Sequence, residues 1–137
     1  MSFKEIPLMK LNEGTVLFHP YISKNSYKSV KKVLNGRWIG QGPLVDKFEN
    51  KFKSMFGKSK YCLSTGSGTD ALHLSYILSG LKKGDEVIAP LFTCTATNIP
   101  FLYMGVNIKF ADIDPLTMNI SVHSVKKLIS KKTKAII

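Results

Sequence analysis

The amino-acid sequence predicts an α/β fold, a mostly parallel sheet with helices on both faces, preceded by a helical N-terminal arm. Three observations carry that expectation. From residue 59 onward, short apolar runs alternate with amphipathic stretches in the order βαβαβαβ, which suits a doubly wound sheet with right-handed crossovers. A run of small residues, Ser64-Thr65-Gly66-Ser67-Gly68-Thr69, joins the first of those strands to the first of those helices. The 137 residues are 44% apolar and 21% charged, enough for about one domain with a core of its own.

Residues 2–20 are weakly patterned and read as an extended arm. Residues 23–34 read as a helix with Tyr27, Val30 and Leu34 inward, stopped by Asn35-Gly36. The loop that follows carries one large aromatic, Trp38, among three glycines. Pro43 suits the first turn of a second helix, with Val45, Phe48, Phe52 and Phe56 on one face and Gly57 at its end. These elements make a first region, 1–57, ahead of an α/β region, 58–137.

Within the second region, 61–63 predicts a strand and 68–81 a helix with Ala71, Leu74, Leu78 and Leu81 on one face. Gly84-Asp85 turns into a strand over 86–89, closed by Pro90. Residues 95–104 read as a short helix, in which Pro100 is tolerable only in or near the first turn. Val106, Ile108 and Phe110 alternate along the next strand, which turns Lys109 outward. Asp112-Ile113-Asp114-Pro115 leads away from it as a turn. Ser121 caps a helix with Val122, Val125 and Ile129 inward, and 135–137 begin another strand. A parallel sheet needs both faces covered, so a chain stopping there reads as cut, not finished.

Several function classes fall away on composition. No apolar run approaches a membrane span, and the first ten residues hold no signal-peptide core. Cys62 and Cys94 form no CxxC and suggest free thiols in a reducing compartment, hence the cytoplasm. The net charge of +11 hints at nucleic acid, but all but one of the 20 basic residues are lysine. Only Arg37 offers a bidentate fork, and the lysines are spread along solvated faces, so no nucleic-acid partner is expected. His19, His73 and His123 are far apart, and none shares metal-ligand spacing with a cysteine or carboxylate, so no metal is expected. Ser67 lacks the G-x-S-x-G frame of a nucleophile elbow, and no Gly-Lys-Ser/Thr marks a P-loop.

The small-residue turn holds the most chemistry. Ser67 and Asp70 have capping-box spacing, so Ser67 is the expected N-cap, and Gly68 and Thr69 open the helix. The first amides of a helix lack intrahelical partners and carry the positive end of its dipole, a geometry suited to a phosphate. A plain tight βα turn remains the alternative. A dinucleotide site is another, because Gly66-x-Gly68-x-x-Ala71 fits G-x-G-x-x-G/A, but the acidic residue due at the end of the second strand is absent.

Read in order, several motifs together resemble one family. They are Gly36-x-Trp38-Ile39-Gly40-x-Gly42-Pro43, Phe48-Glu49, Ser67-Gly68-Thr69-Asp70-Ala71-Leu72-His73-Leu74 and Gly84-Asp85-Glu86-Val87-Ile88. Thr93-x-x-Ala96-Thr97-Asn98, Asp112-Ile113-Asp114-Pro115-x-Thr117-x-Asn119-Ile120 and Thr133-Lys134-Ala135-Ile136 follow. The series resembles the DegT/DnrJ/EryC1/StrS family of pyridoxal-phosphate (PLP) sugar aminotransferases. That resemblance implies the N-terminal part of the aspartate-aminotransferase-like (type I PLP) large domain and a homodimer. It also implies transfer of an amino group from an amino acid, commonly glutamate, to a keto-sugar carried by a nucleotide.

By the same resemblance, Gly68 and Thr69 hold the cofactor phosphate, and Cys94 stands where an aromatic ring usually stacks on the pyridine. Trp38 lies in a loop that approaches the substrate; the alternative is a tryptophan that anchors its own loop. The lysine that anchors the cofactor and the aspartate that pairs with the pyridine nitrogen belong to later sequence. No catalytic residue is therefore expected within residues 1–137, which should be inactive alone. A non-catalytic remnant kept for dimer pairing is a further alternative.

Overall fold

A computed structural model of the chain describes residues 21–56 and 61–137. Two compact units divide it, 1–48 and 49–137. The expected arm over 2–20 and the helix stop at Gly57 lie outside the described residues.

The first unit holds α1 (Ser26–Gly36) and the start of α2 (Pro43–Met55). The first helix runs through Gly36, and it is Arg37 that takes the left-handed position, its amide bonded to the Leu34 carbonyl. Pro43 opens α2 as expected. No residue of either helix is buried. Tyr27, Val30 and Leu34, expected inward, are all more than half exposed. Periodicity identifies which face of a helix is apolar, not whether the chain supplies a cover for it.

The second unit is built on β1 (Glu86–Pro90), which is paired in parallel with β2 (Asn107–Ala111) on one side and β3 (Thr133–Ile136) on the other. The strand order β2-β1-β3 means the chain crosses from β1 to β2 through α4 (Thr95–Met104), then back past β1 to β3 through α5 (Val122–Leu128). These crossings run in opposite directions, so a shared crossover hand demands helices on opposite faces. The packing meets that demand. Val87 joins Tyr76, Leu81, Phe101 and Val106 in one cluster, on the side of α4 and of α3 (Gly68–Leu78). Its neighbour Ile88 joins Ala111 and Val125 in another, beneath α5. Alternation along a single strand thus feeds two cores, and the α/β architecture with helices on both faces is the one observed.

Five expectations differ from the structure. Residues 61–63 form no strand, because a parallel strand exists only where a neighbour offers ladder partners; the Ser64 amide that follows donates instead to the Glu49 carboxylate. The buried side of α3 is Leu72 and Tyr76, whereas Ala71 is exposed and Leu78 is 77% exposed. That helix is apolar almost all round, so its period does not choose a face. Instead Tyr76 decides, stacking on Phe101 at 4.2 Å between centroids and donating its hydroxyl to the Thr97 carbonyl. Pro100 lies past the first turn of α4, fully buried, so packing outweighs the hydrogen bond it cannot give. On α5, only Val125 of the three expected residues is buried, while Val122 and Ile129 are mostly exposed.

Lys109 is the fifth. It does not point into solvent: register sets it beside Ile88, on the α5 side. Its ammonium lies 3.0 Å from Glu86 Oε1 and donates to the Leu128 carbonyl at 3.2 Å. Glu86 Oε1 also accepts from the Ser130 and Thr133 hydroxyls, at 2.7 and 2.9 Å. The Ser130 hydroxyl foremost, then the Lys109 ammonium, hold the Glu86 carboxyl below its ordinary range, against the opposing effect of burial. A carboxylate with a lowered folded pKa contributes stability above its unfolded value and loses it as pH falls through the folded one. Glu86→Gln should therefore lower the unfolding midpoint near neutral pH, and its deficit against the parent should shrink as pH falls below the ordinary carboxylate range. Paired thermal melts across that range check this.

Candidate functional site

The turn before α3 is built from its own side chains. Ser67 is extended and its hydroxyl accepts from the Asp70 amide at 3.1 Å, the N-cap expected from spacing. The Thr65 hydroxyl donates to the Ser67 carbonyl at 2.9 Å. The Asp70 carboxylate folds back over Gly66, where an added Cβ would stand 3.1 Å from Oδ2. Among the described residues nothing accepts from the amides of Gly68 and Thr69, and the Thr69 hydroxyl has no partner either. A Cβ on Gly68 would meet nothing within 4 Å. Two adjacent amides and a hydroxyl are therefore left without partners at the positive end of an 11-residue helix. Their chemistry, neutral donors in a row, fits a phosphate group.

Topology brings a second helix start to the same edge. The chain leaves α3 by a short turn at Gly80, with φ near +80°, and enters β1 at its amino end, so α3 begins near the sheet's carboxyl end. The next helix, α4, begins just after the carboxyl end of β1. Cys94 is its N-cap residue, exposed, with no side-chain capping bond. Both helices pack on the same face of the sheet, so Gly68, Thr69 and Cys94 share one edge of it. Asn98, in the second turn of α4, donates to the Pro90 carbonyl at 3.3 Å. Its Oδ1 is buried with no partner among the described residues.

Two carboxylates here serve structure. Asp114 accepts from the Leu116 and Thr117 amides at 2.9 and 3.0 Å, closing the turn expected after β2, and the Thr117 amide leads in holding its carboxyl below the usual range. Glu49, which lies 15 residues before Ser64, accepts from the Ser64 amide and hydroxyl. Spacing alone gives no sign of that contact, since it is made between elements and not within one. Its only trace in the sequence is Phe48-Glu49 among the family-like motifs. Among the described residues no cluster of three or more His, Cys, Asp or Glu could hold a metal ion. No described helix is long and apolar enough to cross a membrane.

In the first unit, the Trp38 indole donates to the Gln41 carbonyl at 2.9 Å and packs on Gly42, where a Cβ would collide with the ring. Trp38 therefore anchors its own loop while remaining 63% exposed.

Comparison with known proteins places this fold. The family model of the DegT/DnrJ/EryC1/StrS aminotransferase family matches residues 20–137, and the chain belongs to that family. GDP-perosamine synthase of Vibrio cholerae is 35% identical over 121 residues, which are 88% of this chain and 33% of that protein. Among solved structures, the Escherichia coli GDP-4-keto-6-deoxy-D-mannose-3-dehydratase with bound hydrated PLP superposes with a TM-score of 0.75 at 34% identity, over 88% of this chain and 32% of that one. The aminotransferase TlmJ from Streptoalloteichus hindustanus gives 0.76 at 29% identity, over 88% and 33%. The chain thus spans about a third of the length of these relatives.

The sole tryptophan makes the loop testable. Gly42→Ala should expel the indole and shift its fluorescence to the red, with loss of a hydrogen bond that contributes about 1 kcal/mol. Gly36→Ala, where a Cβ meets nothing, should leave the emission unchanged.

Proposed function

We propose that the intact protein is a PLP-dependent enzyme that transfers an amino group from an amino acid, commonly glutamate, to a keto-sugar carried by a nucleotide. The reading places it in the cytoplasm as a homodimer, in the making of amino sugars for surface polysaccharide. The observation that carries it is the pair of unpartnered amides, Gly68 and Thr69, at the open start of α3 in a chain of this family. Bound PLP supplies the electron sink that lets an amino group move between carbon atoms.

The residues of this chain hold and orient that group. The Gly68 and Thr69 amides and the Thr69 hydroxyl take the phosphate. Hydrogen bonds to a charged group contribute about 1.5–3 kcal/mol each, against about 0.3–2 for the helix dipole, so the specific amides dominate. Cys94, at the same sheet edge, lies against the pyridine ring, its sulfur covering less of the face than an aromatic side chain. Trp38 belongs to the substrate-side loop. Lys109 is committed to Glu86 and is not the lysine that anchors the cofactor; residues 1–137 alone do not transaminate. A second reading, removal of a sugar hydroxyl, is favoured by the 34% identity to the solved dehydratase.

One assay separates the two. Supplied with PLP, glutamate and a nucleotide-linked 4-keto-sugar, the intact protein should yield an aminated sugar by mass spectrometry; a deoxygenated product selects the second reading. A Cβ at Gly68 meets nothing within 4 Å, so Gly68→Val should fold normally yet bind PLP about tenfold or more weakly. Thr95→Val should not. Equal PLP content in the two variants overturns the phosphate assignment. Cys94→Tyr should retain or tighten PLP binding, since a larger ring face packs on the pyridine; equilibrium titration checks it.

A further inference from the structure

The turn that opens α3 is fastened from outside by one side chain. Glu49 Oε1 accepts from the Ser64 amide at 2.7 Å and from the Ser64 hydroxyl at 2.9 Å. From there the contacts run on without a gap. Thr65 bonds to the Ser67 carbonyl, Ser67 takes the Asp70 amide, and Asp70 lies over Gly66. The two donors left open, Gly68 and Thr69, come at the end of this series.

Small residues make such a turn costly to hold still. Ordering a backbone costs conformational entropy at every residue, and glycine loses the most freedom. Residues 61–66 lie in no helix or strand that would carry this cost. A tertiary bond at Ser64 therefore fixes where the turn begins, as the Ser67 cap fixes where it ends.

We propose that Glu49 is a positioning residue, which through Ser64 holds residues 64–67 so that the Gly68 and Thr69 amides converge on the cofactor phosphate. The inference rests on the reading of this turn as the phosphate site. Glu49 touches no cofactor atom itself. Its negative charge opposes an anion, so its contribution is one of geometry. The Ser64 amide, then the Ser64 hydroxyl, hold its carboxyl below the usual range, which leaves the acceptor charged at neutral pH.

The test compares PLP with pyridoxal, which lacks the phosphate, by equilibrium titration of the intact protein. In the parent, PLP should bind much more tightly than pyridoxal. Glu49→Ala should weaken PLP binding about tenfold, the loss expected from one misplaced charge-assisted hydrogen bond, and change pyridoxal less than twofold. Glu49→Gln keeps an acceptor oxygen in place and should remain within about threefold of the parent for both. Should Glu49→Ala not fold, Glu49→Asp, one methylene too short to reach Ser64, supplies the same ratio. Equal weakening of PLP and pyridoxal, or no weakening of either, overturns the proposal while Gly68→Val still reports on the phosphate site. A parent without preference for PLP, or a Gly68→Val variant that binds PLP normally, overturns the phosphate reading and this inference with it.

Discussion

Burial of β1 on both faces is the constraint from which the second unit follows. Val87, Ile88 and Ala89 have no exposed surface, and their side chains alternate between two cores. One face needs α3 and α4, the other α5, and each helix must return the chain to the amino end of a parallel strand. Once that holds, helix starts gather at the carboxyl edge and helix ends at the other. The amides of Gly68 and Thr69 and the Cys94 cap are placed by this geometry, before any local chemistry acts. The amino edge closes differently, around Glu86, where hydroxyls and an ammonium satisfy a carboxylate that burial alone would penalise.

Much of this is legible in the sequence wherever the signal is local. The Ser67 and Ser121 caps, the limits of α4 and the Asp114 turn all depend on residues within four positions of one another, and all are found as read. Contacts between elements are not legible in that way. The Glu86–Lys109 pair spans two strands, and alternation alone cannot reveal that the side facing Lys109 is covered by α5. The buried face of α3 was hidden for a related reason. A helix apolar on nearly every side shows no stripe, and the stacking of Tyr76 on Phe101 depends on a helix not yet reached in the sequence.

The site divides along the same line. Gly68 and Thr69 could be found because a capped helix start after small residues has a short-range signature. Cys94 and Trp38 entered only through family resemblance. The structure gives them local roles, a helix cap position and a loop anchor. Helices α1 and α2 keep the apolar stripes expected of them, yet those stripes are largely exposed. An amphipathic pattern records that a face is meant to be covered and is silent on what covers it.

The donors left open at the start of α3 are peptide groups, and peptide groups do not ionise in the physiological range. An anion held there meets donors whose own charge state is the same in acid and in alkali. Near neutral pH, where the Glu49 carboxylate that fastens the turn stays charged, a change of affinity with pH comes from the guest, and a phosphate monoester loses its second proton near pH 6. Salt should matter in two different ways. The surplus of lysines that makes the chain +11 acts at a distance and fades within about 10 Å at ordinary ionic strength. Amides in contact with an oxyanion are far less screened. Capture by the surface should thus be sensitive to salt, while retention at the helix start should be much less so.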